Sequence, residues 1–593
     1  MKKTLSLLLA LVMMLGCMAA LTACGATTGM VLNVGSYPDT IDPALNSAVD
    51  GGTYIVHAFA GLVGWGQDDK GNTVLVPQCA KEIPTGVKNA DGTTTYTFEL
   101  RDGLKWNDGS DLTAADFVYA WNRAASPVTA ADYGYMFEVI GGYAELTATD
   151  DDGNILNKDA KLNVTASEDG KKLMVVLPID VPYFTELCAF PAYMPVKKDV
   201  IEANGEAWAT KPETYIGNGA YKVTEFSQTI LVMEKNEYYF DADKVVSDKI
   251  EFTFNDDDAS LLANYKNGAY LFIDSVPNDE IDALKEEYKD EFFVEGQLGT
   301  YYVSFNVNDE ALKGFTEAEK AKIRKALGLM IDRNYVVKEI GKAGQVPAAG
   351  YVAMGLTEPD GSEFISKNGT NRDGKGYYSV EDTEAAYKAN CDEAIALLTD
   401  VANTSKKFTV ADGKVAGFPQ LEYIVNEGSG HEAIAAYLQQ VWKGIGIDTK
   451  VTTQEWATFL NTRKDGDYSV ARNGWLGDYN DPISFLDMWI SGSGNNDAQL
   501  GKGAHATYKA YSYAGKDNLS WADSYDACIA AVKAETDPAK RFDLMHQAED
   551  ILMETGAICP IYYYTDIFMC SPKIDGFFSS ALGFKYFMYA SVK

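Results

Sequence analysis

The sequence predicts a mixed α/β protein with more than one core. Three observations carry that prediction. Short apolar runs rich in β-branched and aromatic residues recur along the chain, and apolar positions at helical spacing recur between them. At 593 residues, the chain also exceeds what one hydrophobic core usually supports.

The strand-like runs include Met30 to Val34, Lys172 to Leu177 and Tyr301 to Val307. Helices show by their spacing. One begins at Thr113, with Asp116 three positions on and Phe117, Ala120 and Trp121 on its inner face. Ile323, Ala326, Leu327 and Met330 mark a second face at i, i+3, i+4 and i+7. Ile434, Leu438, Val441, Trp442 and Ile445 mark a third, behind Ser429 and Glu432 at capping-box spacing. Near the end, Asp537-Pro538 reads as N-cap and first helical residue before Phe542, Met545 and Leu552, with Gly556 as the stop.

The first residues have the layout of a secretory signal, with Lys2 and Lys3 ahead of an apolar run that carries no charge before Cys24. Leu21-Thr22-Ala23-Cys24 resembles the lipobox of bacterial lipoproteins. That resemblance implies cleavage before Cys24, lipid on Cys24, a short tether over 24–29, and a location on the outer face of the cell membrane. Cleavage near Ala23 in an ordinary secreted protein is the alternative. No second apolar run of about 18 residues exists to span a bilayer.

Removing 23 of 593 residues leaves 570 and moves the formal charge from −34 to −36, because two lysines go with the leader. Such a balance argues against nucleic acid and against direct binding to an anionic bilayer. Cys79, Cys188, Cys391, Cys528, Cys559 and Cys570 are scattered without a CxxC pair, which leaves room for one long-range disulfide but not for a zinc ribbon. His431-Glu432-Ala433-Ile434-Ala435 starts like a zinc-protease helix, yet Ala435 stands where the second imidazole is needed. There is no GxSxG elbow or phosphate-binding loop, and Gly444-Ile445-Gly446 lacks the third glycine of a dinucleotide turn. Neither a cofactor, a metal nor catalysis is expected. In ARNGWLGDYNDP, residues 471 to 482, the residues alone favour Asp478 as the opening of an Asx-type turn.

Thr97 to Pro127, TFELRDGLKWNDGSDLTAADFVYAWNRAASP, closely resembles the signature of family 5 solute-binding proteins, the oligopeptide receptors of ABC importers. Further landmarks follow in order: Pro182 to Pro195, Ile216 to Tyr221, Gly299 to Phe305, Ile323 to Arg333, Gln454 to Leu460 and Pro560 to Tyr564. The resemblance implies a periplasmic-binding-protein-like α/β fold (type II, cluster C) of two lobes joined by a pair of crossover strands. Lobe one would comprise residues 30–70, 213–298 and 560–593, with an additional domain, 71–212, grafted onto it. Lobe two would be 299–559. It also implies a monomer that holds an extended peptide between its lobes and hands it to a permease and ATPase complex.

In that family an aspartate in a segment resembling GWxxDY meets the peptide's ammonium, and the match lands on Asp478. Arg463 and Arg472, on either side of Gly466, coincide with positions that meet the peptide carboxylate, and His431 resembles a third serving a peptide of another length. Arg472 bracing a neighbouring acid is the rival reading. Backbone pairing would come from Gly474, Trp475 and Leu476 on one side and Ser47, Ala48 and Val49 on the other. Trp475 is expected to wall a side-chain pocket, and Tyr133 matches an aromatic that reaches the ligand. Relatives of the same fold that bind dipeptides, nickel chelates, sugars or other small solutes usually lack this set. Two rival functions remain, a peptide-signal sensor and a hydrolase.

Overall fold

A computed structural model describes residues 29–150, 154–428 and 430–593. The leader, Cys24 and Ser429 lie outside the described residues. Among the described residues the main sheet has eleven strands. In chain order its principal strands are β1 (Gly29–Asn33), β2 (Tyr221–Phe226), β3 (Ile230–Lys235), β4 (Lys249–Thr253), β5 (Phe272–Ile273), β6 (Phe292–Phe305), β7 (Leu421–Asn426), β8 (Thr449–Gln454), β9 (Val470–Leu476) and β10 (Ile558–Cys570). Their order across the sheet is β8-β7-β9-β6-β10-β5-β1-β4-β3-β2, and Val346–Pro347 pairs with β10 off this path.

β6 and β10, 14 and 13 residues long, belong to both halves. Phe292 to Gly296 pair with Met569 to Thr565, beside β5. Thr300 to Ser304 then pair with Tyr563 to Ile558, beside β9. The register breaks between Gly296 and Thr300, where Glu295-Gly296-Gln297-Leu298-Gly299 replaces the strand formers on either side. Two strands with a weak middle thus join two halves of one sheet.

Each half repeats the same local logic. In the second, β7, α1 (His431–Gly444), β8, α2 (Trp456–Asp465) and β9 alternate, and β7 lies parallel between β8 and β9. In the first, β1 lies parallel between β4 and β5. Connections that leave a central strand toward opposite sides open a crevice beyond its carboxyl end. Here the crevices of the two halves face each other.

A separate antiparallel sheet, ordered Val87–Lys88, Thr94–Glu99, Lys172–Leu177, Val164–Ala166, carries the helix Ala114–Ala125. That helix opens with the expected capping box of Thr113 and Asp116. The turn before it is set by Gly109, at φ 84°, whose N–H donates to Trp106 O at 2.9 Å. The chain's end folds back on the first half, where the Phe587 N–H donates to His57 Nε2 at 2.9 Å.

Most expected elements stand within a few residues of their place, including Pro538–Glu554 capped by Asp537. One differs. The strand expected at Tyr301 begins nine residues earlier, at Phe292, because pairing with β10 resumes on either side of its glycine-rich middle. The helix at His431 is entered through Gly430 at φ 74°, and the capping box expected from Ser429 lies outside the described residues. All six cysteines among the described residues are free.

Candidate functional site

The facing crevices enclose a cavity of about 390 Å³, within the usual range for small-ligand sites. Its walls come from the carboxyl ends of strands: Asn33 to Ser36 after β1, Asn255 and Asp256 after β4, Asp274 after β5, Asn426 to Gly428 after β7, and Trp475 to Asp478 after β9. Among the described residues no His, Cys, Asp or Glu cluster is arranged to hold a metal, and no helix is long and apolar enough to cross a membrane.

One edge of β9 is fully paired with β6, from Val470 to Leu476. The other edge pairs with β7 only at Val470 and Ala471. From Arg472 to Leu476 that second edge carries no strand among the described residues, and Arg472, Gly474, Trp475 and Leu476 line the cavity. An unpaired edge is a template for an added extended chain. Gly474 keeps this stretch in place, since a Cβ there would stand 2.3 Å from the Tyr564 hydroxyl.

Asp478 follows the open edge and is 8 % exposed. Its Oδ1 accepts from the Tyr133 hydroxyl at 3.1 Å, and its Oδ2 is buried without a partner. Burial pushes the carboxyl well above the usual range; the Tyr133 bond opposes this, and the charge of Asp487 adds to it. The turn role expected of Asp478 falls to Asp481 instead, whose Oδ1 accepts from the Ile483 N–H at 3.1 Å. Asp481 is in turn clamped by Arg541 through two bonds of 2.7 and 2.9 Å. Asp478 is therefore an incompletely satisfied carboxyl on a braced loop.

Arg472 begins the open edge. Among the described residues no carboxylate lies within ion-pairing distance of it. Its Nη2 donates to His431 Nε2 at 2.7 Å, and its guanidinium lies 5.5 Å from the Tyr301 ring centre and 5.8 Å from that of Trp456. Since arginine only donates, His431 Nε2 accepts and Nδ1 carries the proton. That Nδ1 is buried and unpartnered. Burial, then the neighbouring Arg472 charge, hold the His431 pKa well below its ordinary value, so it is a neutral donor and not a cation. The bracing role weighed for Arg472 belongs to Arg463, which pairs with Asp497 at 2.6 Å and donates to Asn473 Oδ1 at 2.8 Å.

Ser47 and Ala48 line the cavity, with Ala48 extended at φ −125°, ψ 149°. Val49 lines it too but opens the helix Val49–Ala58, so it is not the strand residue expected; the glycine pair Gly51-Gly52 and Asp50 behind it gave no strong helix signal. Tyr133 and Trp475 meet at 6.0 Å between ring centres, and the Trp475 indole N–H donates to Ser484 O at 2.8 Å. Sequence reasoning missed Asn426, Glu427, Asp256, Trp456 and Tyr564 as lining residues. Tyr564 lay within the recognised Pro560 to Tyr564 segment and Trp456 within Gln454 to Leu460, at the start of α2; the others carry no signal beyond their place at or after strand ends.

Two facing crevices, a two-strand connection and an open strand edge between fixed charges define a two-lobe ligand-binding protein. The family model of bacterial extracellular solute-binding proteins, family 5, matches residues 74–497, and the chain belongs to that family, which is one of transport proteins and not of enzymes. The oligopeptide-binding protein OppA of Bacillus subtilis (strain 168) is 29 % identical over 578 residues, covering 96 % of this chain and 93 % of OppA. The Haemophilus influenzae OppA complex with RPPGFSPFR superposes with a TM-score of 0.78 at 26 % identity, covering 96 % of this chain and 99 % of that one. The Escherichia coli murein tripeptide binding protein MppA gives 0.76 at 26 % identity, covering 96 % and 99 %. The unliganded open form of MppA gives 0.56 at 26 % identity and 96 % and 98 % coverage. In this chain the two sides of the cleft touch, with Lys464 paired to Asp132 at 2.8 Å and Tyr133 bonded to Asp478 at 3.1 Å, so the cleft is closed.

Proposed function

We propose that this chain captures oligopeptides in its interlobe cleft and delivers them to an ABC permease and its ATPase. The observation that carries the reading is the open edge of β9, which starts at the unpaired guanidinium of Arg472 and ends at the unpartnered Oδ2 of Asp478. An extended peptide laid on that edge would place its ammonium at Asp478 and its carboxylate at Arg472. Its backbone would pair with Gly474, Trp475 and Leu476, with Ser47 and Ala48 opposite. His431 would add a neutral N–H, while Arg463, already matched by Asp497, would hold Asn473 and the strand in position. Ligand leaves chemically unchanged in this reading. The names of the relatives support peptide as the cargo.

We assign lobe one to 30–70, 213–298 and 560–593, the additional domain to 71–212 and lobe two to 299–559, and place the protein as a monomer on the membrane through lipid on Cys24. Native mass spectrometry of the purified protein should show bound masses that fragment as peptides; a retained non-peptide solute would overturn the reading. Cys24→Ser should move the protein from the membrane to the soluble fraction, and continued membrane association would overturn the anchor.

A further inference from the structure

The cleft holds more negative charge than a peptide's ammonium requires. Of its lining cations, Lys585 is matched by Asp566 at 2.8 Å and Asp274 at 3.2 Å, and Arg463 by Asp497 at 2.6 Å. Among the described residues, Arg472 alone of the lining arginines and lysines remains for a carboxylate. Beyond Asp478, the lining acids Asp256 and Glu427 have no lysine or arginine within ion-pairing distance among the described residues.

The segments that carry these two acids approach each other backbone to backbone at one corner of the cavity, where Glu427 is exposed and Asp256 half-buried. Asp256 follows β4 of the first lobe and Glu427 follows β7 of the second, and a Cβ on Gly428 would stand 2.9 Å from the Asp256 carbonyl oxygen. Beside them lies Asn426, 9 % exposed. Its Nδ2 donates to the Glu427 carbonyl at 3.0 Å, which fixes Oδ1 as the free acceptor, and that oxygen is buried without a partner. A buried acceptor without a donor beside two unpaired acids calls for a ligand that brings both hydrogen-bond donors and positive charge.

The corner sits at the carboxylate end of the cleft, because the Gly428 segment leads directly into α1, whose first residue, His431, touches Arg472 at 2.7 Å. We propose that Asn426, Glu427 and Asp256 form a side-chain pocket for a cationic C-terminal residue, so that the receptor prefers peptides ending in arginine or lysine. This rests on the peptide-binding reading above. Arginine suits the corner best, since its several N–H donors can serve the amide oxygen and a carboxylate together. Closure completes the pocket, as its acids come from opposite lobes.

Calorimetry on the full protein stripped of ligand tests this with Ala-Ala-Arg, its neutral isostere Ala-Ala-citrulline, and Ala-Ala-Ala. The arginine peptide should bind about tenfold or more tighter than the citrulline peptide, the scale of one charge-assisted hydrogen bond. Arg-Ala-Ala against citrulline-Ala-Ala should show no comparable ratio. In the Asp256→Asn, Glu427→Gln variant the C-terminal ratio should fall toward one, a readout that a general loss of affinity does not mimic. Equal affinities for Ala-Ala-Arg and Ala-Ala-citrulline in the unaltered protein, or an unchanged ratio in the variant, would overturn the pocket while leaving peptide binding intact. Failure of all these peptides to bind would overturn both.

Discussion

Tyr133 and Asp478 stand 345 positions apart in the chain and 3.1 Å apart across the cleft. The hydroxyl serves one carboxylate oxygen and leaves the other buried and unserved. Folding alone does not satisfy Asp478, and the proposed function assigns the unserved oxygen to an incoming ammonium.

Asp478→Asn should therefore weaken peptides with a free amine by about 10- to 100-fold, the range of a charge-assisted hydrogen bond, and N-acetylated peptides far less. Calorimetry on matched pairs measures both. Equal losses for the two would remove the ammonium from Asp478. Tyr133→Phe should act in the same direction but more weakly, since it withdraws support for the carboxylate without removing its charge.

Acidity should relieve the cost of burying Asp478. Burial raises Asp274 and Glu549 to about 7, Asp50 and Asp487 to about 6, and Asp478 upward as well. In the unfolded chain these groups titrate near 4. Between roughly pH 4 and 7 these carboxyls therefore hold more protons in the folded state, and their contribution to stability falls as pH rises. Burial lowers His57, His431, His505 and His546, which act in the opposite direction over the same window, so the test is the difference between two proteins. In calorimetric melting, Asp478→Asn should raise the Tm of the ligand-free protein more at pH 7.5 than at pH 5.5. Peptide should remove that gain, because its ammonium favours the carboxylate of Asp478. A gain that is equal at the two pH values, or larger at pH 5.5, would contradict the assignment.

Gly474→Ala should cost both stability and peptide affinity, because the new methyl meets the Tyr564 hydroxyl at 2.3 Å. Tyr564→Phe removes that oxygen and leaves the ring carbon at 3.2 Å. The double variant should recover much of the loss, giving a coupling of about 1 kcal/mol or more in a double-mutant cycle. Strict additivity would mean the strand shifts instead of clashing.

Local signals were readable where the physics is local. Thr113 with Asp116, and Asp537 with Pro538, identify helix starts because the capping groups are neighbours in sequence. Gly296 and Gly299 misled, since they mark a strand's weak middle and only pairing on both sides keeps it extended. Within the site, family likeness brought forward Asp478, Arg472 and His431, and the structure gathers them in one cavity. Arg463 and Asp497 lie 34 positions apart, and nothing in either segment announces that they neutralise each other. The division of labour between the two arginines became legible only in three dimensions.

Closure itself has a chemical seam that can be weakened without touching the ligand. Asp132 and Glu138, on either side of Tyr133, pair with Lys464 at 2.8 Å and Lys533 at 3.0 Å from the opposite lobe. Nearby, Tyr183 stacks on Tyr479 at 4.8 Å between ring centres, and Glu186 accepts from the Asn480 N–H at 2.9 Å. Lys533 keeps a second acid, Asp487 at 3.6 Å, on its own lobe, so opening does not strand its charge. Asp132→Asn with Glu138→Gln should then raise the peptide off-rate by about 3- to 10-fold, as partly exposed ion pairs contribute about 1 kcal/mol or less each. The on-rate should change little, because the pairs form only as the lobes meet. Small-angle scattering of the ligand-free variant should show a larger radius of gyration than the unaltered protein. An unchanged off-rate and radius would mean that hinge strands and ligand alone set the closed state.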